Sequence, residues 1–471
     1  MNRKMFALLA VVLVACAIGA GVYCTELSET HSYHITDFDY QRAYQDEQYL
    51  VSIAPRPTGT EAEAQAASYV AEQFRDAGLE DVHIETYGKL IFEVRQAELS
   101  IVPYGPMGRF PNPLGGGETV FKHTVDFVLQ GFSGSYHWST FRDDLDVRVI
   151  GNGTDDALWT QAAGKAAVVE FTDDEGIPNN TVLFFRARDA GVKALILHNL
   201  RYHKELNYPP IFKTTALPPN ETEYPDIPFF MVSKDAGYRI IYSAENGSKL
   251  RIKFNVVREV RQIPVVVGEV RGTARPDEFI LMGAHMDTVY DAPGAFDNTA
   301  GVSVVIETAR NLAGMKLRRT VRFVTFGGEE LGLYGSMAYA EAHEDEIRDN
   351  MIYMINCDMT NIELSRSSTA WIGTTSNASV STLREIADQV VAEDPSLSRY
   401  DIKIKYAHLG INSDHAAFML RGVPVAFGAG GGSWEYHTYM DDLTHIYPHT
   451  FTIWGKIFGT YAVYLSEKGH V

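Results

Sequence analysis

The chain has 471 residues, of which 45% are hydrophobic and 21% charged, an ordinary globular balance whose length suggests about three folded units. A formal net charge of −19 argues against nucleic acid or an anionic membrane surface as a partner, because both select a basic face. Cys16 and Cys24 lie close to the N-terminus, which leaves Cys357 as the one thiol of the body and excludes an internal disulfide there.

Residues 1–24 are predicted as a targeting segment. Arg3 and Lys4 precede the apolar run 5–23, and Glu26 and Glu29 follow it, so the domain behind is expected outside the cell. Three fates stay open: a retained single-span membrane anchor, a lipoprotein modified at Cys16 of "LVAC", or cleavage near Ala17 or Ala20. Five Asn-x-Ser/Thr triplets occur, and those at Asn152, Asn179, Asn220 and Asn246 would suit an exposed lobe, with Asn377 apart from them.

Residues 36–93 read as helices followed by a strand. In "RPTGTEAEAQAASYVAEQFRDAGL", Thr60 is the predicted cap, Ala64, Ala67, Val70 and Phe74 the apolar face, and Gly78 the stop. Residues 94–258 change texture. Short alternating runs such as "KAAVVEF", "KALILHN" and "IPFFMV" are separated by Gly, Pro and Asn, and one amphipathic helix, "VLFFRARDAG", interrupts them. This stretch is predicted as a mainly-β insertion. From residue 259 to 471, strands alternate with helices, which predicts an α/β fold with a mostly parallel mixed sheet covered by helices on both faces.

In such sheets ligands bind beyond the carboxyl ends of the strands, and the chemistry-bearing residues fall there. The strand "FILMGA" ends in His285, with Asp287 two residues on. Asp297 rides a loop of Gly, Ala and Asn. Glu329 and Glu330 follow "VRFVTF", Asp358 follows "MIYMINC", and His437 follows "VPVAFG" across a glycine-rich loop. Carboxylates that converge in a buried place stay ionised only if a cation neutralises them. Two histidines and three carboxylates make a ligand set for two divalent metals. One carboxylate must bridge if the ions lie about 3.5–4 Å apart, and a spare glutamate can take a proton from water. The residues themselves point to metal-assisted hydrolysis.

The motifs "GAHMDTV", "APGAFDNTAG", "FGGEELGLYGS", "NCDM", "SDHAAF" and "YHT", in that order, resemble the M28 family of dizinc peptidases, its aminopeptidase group above all. "GKAAVVEF", "AGVKALILHN" and "IPFFMVSKDAG" make the 94–258 insertion resemble a protease-associated (PA) domain. The resemblance implies a zinc-peptidase (phosphorylase/hydrolase-like) fold and two Zn2+ ions. His285, Asp297 and Asp358 would hold one ion; Asp297, Glu330 and His437 would hold the other, with Asp297 as the bridge. Glu329 would be the general base and then the acid, Asp287 would orient His285, and Tyr436 would stabilise the oxyanion, a contribution of ~3 kcal/mol for donors of this kind. A cis peptide at Asp297–Asn298 is also implied.

The resulting expectation is an exported metallo-aminopeptidase acting on the N-terminal residues of peptides. A carboxypeptidase or dipeptidase on the same scaffold would need basic residues for a free carboxylate, supplied by the insertion or a partner subunit. A glutaminyl cyclase would use one zinc, and a receptor-like relative would lack ligands. Some relatives carry arginine where this chain has Asn412. Cys357 is expected to be a buried small residue, Ser413 a helix cap with Asp414 supporting its turn, and His408, His415, His445 and His449 surface or structural residues.

Overall fold

The computed structural model describes residues 35, 37–105, 110–112, 117–172, 176–201 and 209–468. The predicted targeting segment 1–24 lies outside them. Among the described residues no helix is long and apolar enough to cross a membrane.

Numbered along the chain, the strands are β1 (Glu80–Val102), β2 (Thr119–Phe121), β3 (Phe127–Leu129), β4 (Val147–Val149), β5 (Ala166–Phe171), β6 (Ala194–Asn199) and β7 (Phe229–Val232). They continue as β8 (Lys249–Val270), β9 (Arg275–His285), β10 (Arg319–Phe326), β11 (Met351–Cys357), β12 (Thr369–Thr374), β13 (Asp401–Tyr406) and β14 (Val425–Gly430). A nine-stranded sheet runs β13-β12-β14-β11-β9-β10-β8-β1-β2, and a five-stranded one runs β3-β7-β6-β5-β4. The large sheet is parallel through β14-β11-β9-β10 and antiparallel where β12, β8, β1 and β2 join. It is the mixed sheet that the strand–helix alternation predicts.

The parallel strands are buried on both faces, which is why "FILMGA" is nearly continuous apolar sequence. Helices Tyr40–Ser52, Glu61–Ala77, Ala300–Leu312, Asn377–Glu393 and Phe451–Lys468 pack a large core on one face. Helices Tyr334–Ala342, Glu344–Asn350 and His415–Met419 cover the other. Thr60 and Gly78 cap helix Glu61–Ala77 as predicted, and Ala67, Val70 and Phe74 are buried as expected, but the face departs from the prediction at its first turn. Ala64 is exposed and Glu63 buried, because the Glu63 carboxylate accepts from the Gly59 and Gly328 amides at 2.7 and 3.0 Å.

The insertion is joined to the peptidase sheet by a ribbon, not by linkers. β1 and β8 pair antiparallel from Glu80↔Glu269 to Val102↔Lys249, straight through the predicted borders at 94 and 258. The register shift between Val94 and Gln96 is a bulge at that border, and a bulge adds twist and re-aims a strand. The outer half of the ribbon packs on the small sheet, where Phe127, Phe230 and Phe254 meet Ile91, Phe92 and Leu331 in one core. The lobe also holds more helix than its alternating runs suggest. Asp156–Ala162, Asn180–Asp189 and Lys234–Glu245 each start on a side-chain cap (Asp155, Asn179 and Ser233), and most of the small sheet is parallel. The helix at Asn180–Asp189 is the amphipathic one predicted from "VLFFRARDAG"; the other two were hidden among short runs and turns.

Candidate metal centre

Sheet register gathers the candidate ligands. His285 and Phe326 are paired at the ends of β9 and β10, so the Gly327–Gly328 turn delivers Glu329 and Glu330 beside His285. Gly328 has a positive φ of 72°, a conformation glycine adopts freely. Asp358 follows the end of β11. His437 returns on the loop after β14, which is the neighbour of β11. Asp297 precedes helix Ala300–Leu312, and the Asp297–Asn298 peptide is cis, as the family pattern implies. The Asn298 side chain pins this turn. Its amide donates to the Cys357 carbonyl at 2.9 Å, and its oxygen accepts from the Met359 and Gly301 amides at 3.0 and 3.1 Å.

All five candidate ligands meet in one place. His285 Nε2 lies 3.1 Å from Asp297 Oδ1 and 3.6 Å from Asp358 Oδ1. His437 Nε2 lies 3.2 Å from Asp297 Oδ2 and 3.0 Å from Glu330 Oε2. Two histidine–carboxylate pairs thus share Asp297, one on each of its oxygens. Glu329, half-buried, joins His285 and Asp358 in a group whose donor atoms lie within 4.8 Å of one another.

The residues fit a pair of cations. Glu330 Oε1 and Asp358 Oδ1 are buried with no hydrogen-bond partner, and an ionised carboxylate so placed is unfavourable by several kcal/mol unless a cation meets it. Without metal the cluster holds on to protons. Burial alone would lower both histidines, yet the carboxylates raise His285 well above its ordinary value and bring His437 up to about 9. Burial and neighbouring acids push Glu329 well above the carboxylate range, although His285 opposes them.

The surrounding contacts fix which nitrogen each histidine offers. His437 Nδ1 donates to the Phe212 carbonyl at 2.9 Å and His285 Nδ1 to the Asp287 carbonyl at 3.2 Å, so Nε2 is the nitrogen that each ring turns to the acids. The Asp287 carboxylate is 3.6 Å from His285 and has other work as well. It accepts from the Glu329 and Glu330 amides at 3.0 and 3.2 Å and from the Thr58 hydroxyl at 2.8 Å, holding the glutamate turn in place. Tyr436 stacks on the His437 ring at 3.8 Å, and its hydroxyl accepts from Lys213 at 2.9 Å.

Several supporting residues escaped the sequence reading. Asp441, fully inside, accepts from the Phe296 and Asp297 amides at 2.7 and 3.1 Å; it stands four residues after His437 in "YMDD". The buried Arg56 donates to the Met286 and Leu50 carbonyls and to Thr299, and burial lowers it to about 10. Ser413 does not cap the helix at His415–Met419. Its hydroxyl donates to Asp358 Oδ2 at 2.5 Å, because Asn356 holds it there from the end of β11. Phe212 contributes a backbone carbonyl, which no side-chain motif announces. Cys357 is the buried free thiol expected, and His445 pairs with Glu363 at 2.9 Å, away from the cluster.

Residues 265–462, which include all five candidate ligands, match the model described as Peptidase family M28. The chain is 28% identical over 430 residues to "Aminopeptidase YwaD" of Bacillus subtilis, covering 88% of this chain and 82% of that protein. It is 23% identical over 382 residues to a "Glutamate carboxypeptidase 2 homolog" of Caenorhabditis elegans, 64% of this chain but only 49% of that longer relative. Among solved structures it superposes on BSAP, a zinc aminopeptidase from Bacillus subtilis, with a TM-score of 0.69 at 22% identity, covering 92% of this chain and 96% of that one. A peptidase M28 precursor from Shewanella amazonensis gives 0.70 at 19%, with 94% and 96% covered. These likenesses show a shared fold over nearly the whole chain. Residues 265–462 thus resemble the M28 peptidases, and the chain around them shares the fold of the solved structures.

Proposed function

We propose that the chain is an exported zinc aminopeptidase that removes N-terminal residues from peptides with two metal ions. One observation carries the reading: Asp297 turns one oxygen to the His285–Asp358 side and the other to the His437–Glu330 side. His285, Asp297 and Asp358 would hold one zinc, and Asp297, Glu330 and His437 the other. The names of the Bacillus relative and of the structural neighbour support the reaction class. The full ligand set speaks for two ions over the single zinc of a cyclase, and for an enzyme over a receptor-like protein.

Bound zinc supplies positive charge that neutralises the acids, polarises the scissile carbonyl and acidifies water. The chain's own groups do the rest. Glu329 faces the His285 side and is left over from the ligand pairs, so it can take a proton from the attacking water and pass it to the leaving amine. The Tyr436 hydroxyl donates to the oxyanion of the tetrahedral intermediate. Asp287 keeps Glu329 and Glu330 in register through their amides. The insertion, with its resemblance to a PA domain, covers the cleft and restricts access, a point supported by fold analogy. The basic pair ahead of the apolar run 5–23 supports export.

The test is hydrolysis of one short peptide that is free at both ends, N-acetylated or C-amidated, each with zinc and after chelation. Metal-dependent cleavage blocked by acetylation and indifferent to amidation is the expected result. A second reading, carboxypeptidase or dipeptidase, is favoured by Lys213, a cation from the insertion that reaches Tyr436. On that reading amidation would block cleavage.

A further inference from the structure

The segment that leads from the small sheet to the metal centre is held with little freedom. Gln130, fully buried, donates through its side chain to the Ile211 carbonyl at 3.0 Å and accepts from the Lys213 amide at 3.1 Å. The Gly131 amide donates to the Lys213 carbonyl at 2.9 Å. This approach needs a glycine, because a Cβ on residue 131 would lie 2.7 Å from Thr214 Cα. Phe212, between these anchors, is 1% exposed and packs its ring 5.5 Å from that of Tyr290. From this clamp two groups reach the peptidase. The Phe212 carbonyl takes the His437 Nδ1 hydrogen, and Lys213 Nζ stands 2.9 Å from the Tyr436 hydroxyl and 4.2 Å from the centre of its ring.

The donor inventory gives the contact a direction. An ammonium donates and cannot accept, whereas a phenol has one hydrogen to give and lone pairs to receive. With Lys213 on the accepting side of the oxygen, the phenolic hydrogen must point elsewhere. The Tyr436 ring is meanwhile fixed flat against the His437 ring. Burial lowers Lys213 from its ordinary value, and the carboxylates of Glu330, Asp297 and Glu329 oppose that shift only in part.

We propose that Lys213, carried by the insertion, is a positioning residue for the reaction: it occupies the acceptor side of the Tyr436 hydroxyl and so aims the phenolic hydrogen at the oxyanion. The inference rests on the reading of Tyr436 as oxyanion donor. It makes the insertion part of the reacting site as well as its cover.

The experiment compares the zinc-loaded wild type with Lys213→Met, Tyr436→Phe and the double variant, on a peptide with a free and with an amidated C-terminus. Zinc content and thermal midpoint are read alongside. Lys213→Met is expected to lower kcat roughly 10- to 100-fold, the range of a lost charged hydrogen bond, with KM and zinc content near wild type on both peptides. The double variant should be no slower than Tyr436→Phe alone. Calorimetric affinity for an aminoalkylphosphonate, a tetrahedral anion, should fall in Lys213→Met by the same factor as kcat, while affinity for the free amino acid product holds. Lys213→Gln, a neutral donor that is easily accommodated, should lie between Met and wild type. Multiplicative losses in the double variant would overturn the inference. So would a KM rise confined to the free-carboxylate peptide, since Lys213 would then grip the substrate's C-terminus. Unchanged turnover in Lys213→Met beside a slow Tyr436→Phe also overturns it and leaves the reading of Tyr436 standing. A fully active Tyr436→Phe removes that reading itself, and the inference with it.

Discussion

The two oxygens of Asp297 face two different histidines, Oδ1 at 3.1 Å from His285 Nε2 and Oδ2 at 3.2 Å from His437 Nε2. On the proposed two-metal reading, Asp297→Ala removes a candidate ligand from both positions, and His437→Ala from one. Metal analysis should find neither ion firmly held in the first variant and one retained in the second, with hydrolysis lost in both. Two zinc ions in purified Asp297→Ala would refute the shared-carboxylate arrangement.

Asp441 touches no candidate metal position through its side chain, yet both of its oxygens hold the amides of the Asp297 turn. Asp441→Asn replaces one accepting oxygen with a donor facing an N–H. Zinc affinity should fall about 10- to 100-fold, the usual effect of losing a ligand's support, while the fold persists. Competition against a chromogenic chelator measures it, and wild-type affinity would show that the turn holds itself.

Loading with zinc should release protons. In the metal-free protein His437 titrates at about 9 and His285 well above its ordinary value, so both are cationic at pH 7, and a zinc ligand must be neutral. Apparent zinc affinity should accordingly rise with pH up to about 9 and weaken below it. Calorimetry at pH 7 in two buffers of different ionisation enthalpy reads the release directly. Identical heats in the two buffers would count against it.

His343 ties β1 to helix Glu344–Asn350 through Glu346 at 3.4 Å and Glu85 at 3.0 Å, and those partners raise it to about 9. A histidine raised above its unfolded value of about 6.5 contributes stability that is fully present below that pH and lost as pH climbs through 9. The wild-type thermal midpoint should therefore decline between about pH 6.5 and 9, and His343→Gln should flatten that decline. Parallel curves for the two proteins would mean that the pair contributes nothing.

The candidate ligands were legible because His285 and Asp358 are polar residues that break an apolar strand at its end, and Glu330, Asp297 and His437 stand on glycine-bearing stretches close behind other elements of the same sheet. Their common location followed from the rule for parallel sheets. What supports them was not legible in the same way. Asp441 and Ser413 act on a backbone amide and on a carboxylate that only the folded chain brings near. Glu63 occupies a buried helix position where an apolar pattern places alanine. Phe212 acts through its carbonyl, and Lys213 belongs to a segment with no motif of its own. Two of the three helices of the insertion, Asp156–Ala162 and Lys234–Glu245, passed for turns between strands, and the predicted borders cut across β1 and β8 because a bulge changes a strand's direction without changing its composition.

The continuous ribbon has a consequence for separating the two parts of the molecule. At the predicted border Glu93 is paired with Val257 and Phe92 with Arg258, so chain ends cut there would lie directly across from each other. A two-residue hairpin could rejoin them, and the peptidase sheet would then end on the inner half of β1, because the edge strand β2 lies in the removed part. A protein shortened in this way would still own all five candidate ligands. It would lack the Phe212 carbonyl that meets His437 and the cation that faces Tyr436, so comparing its stability and its hydrolysis with those of the full chain would separate what the sheet needs from what the site needs.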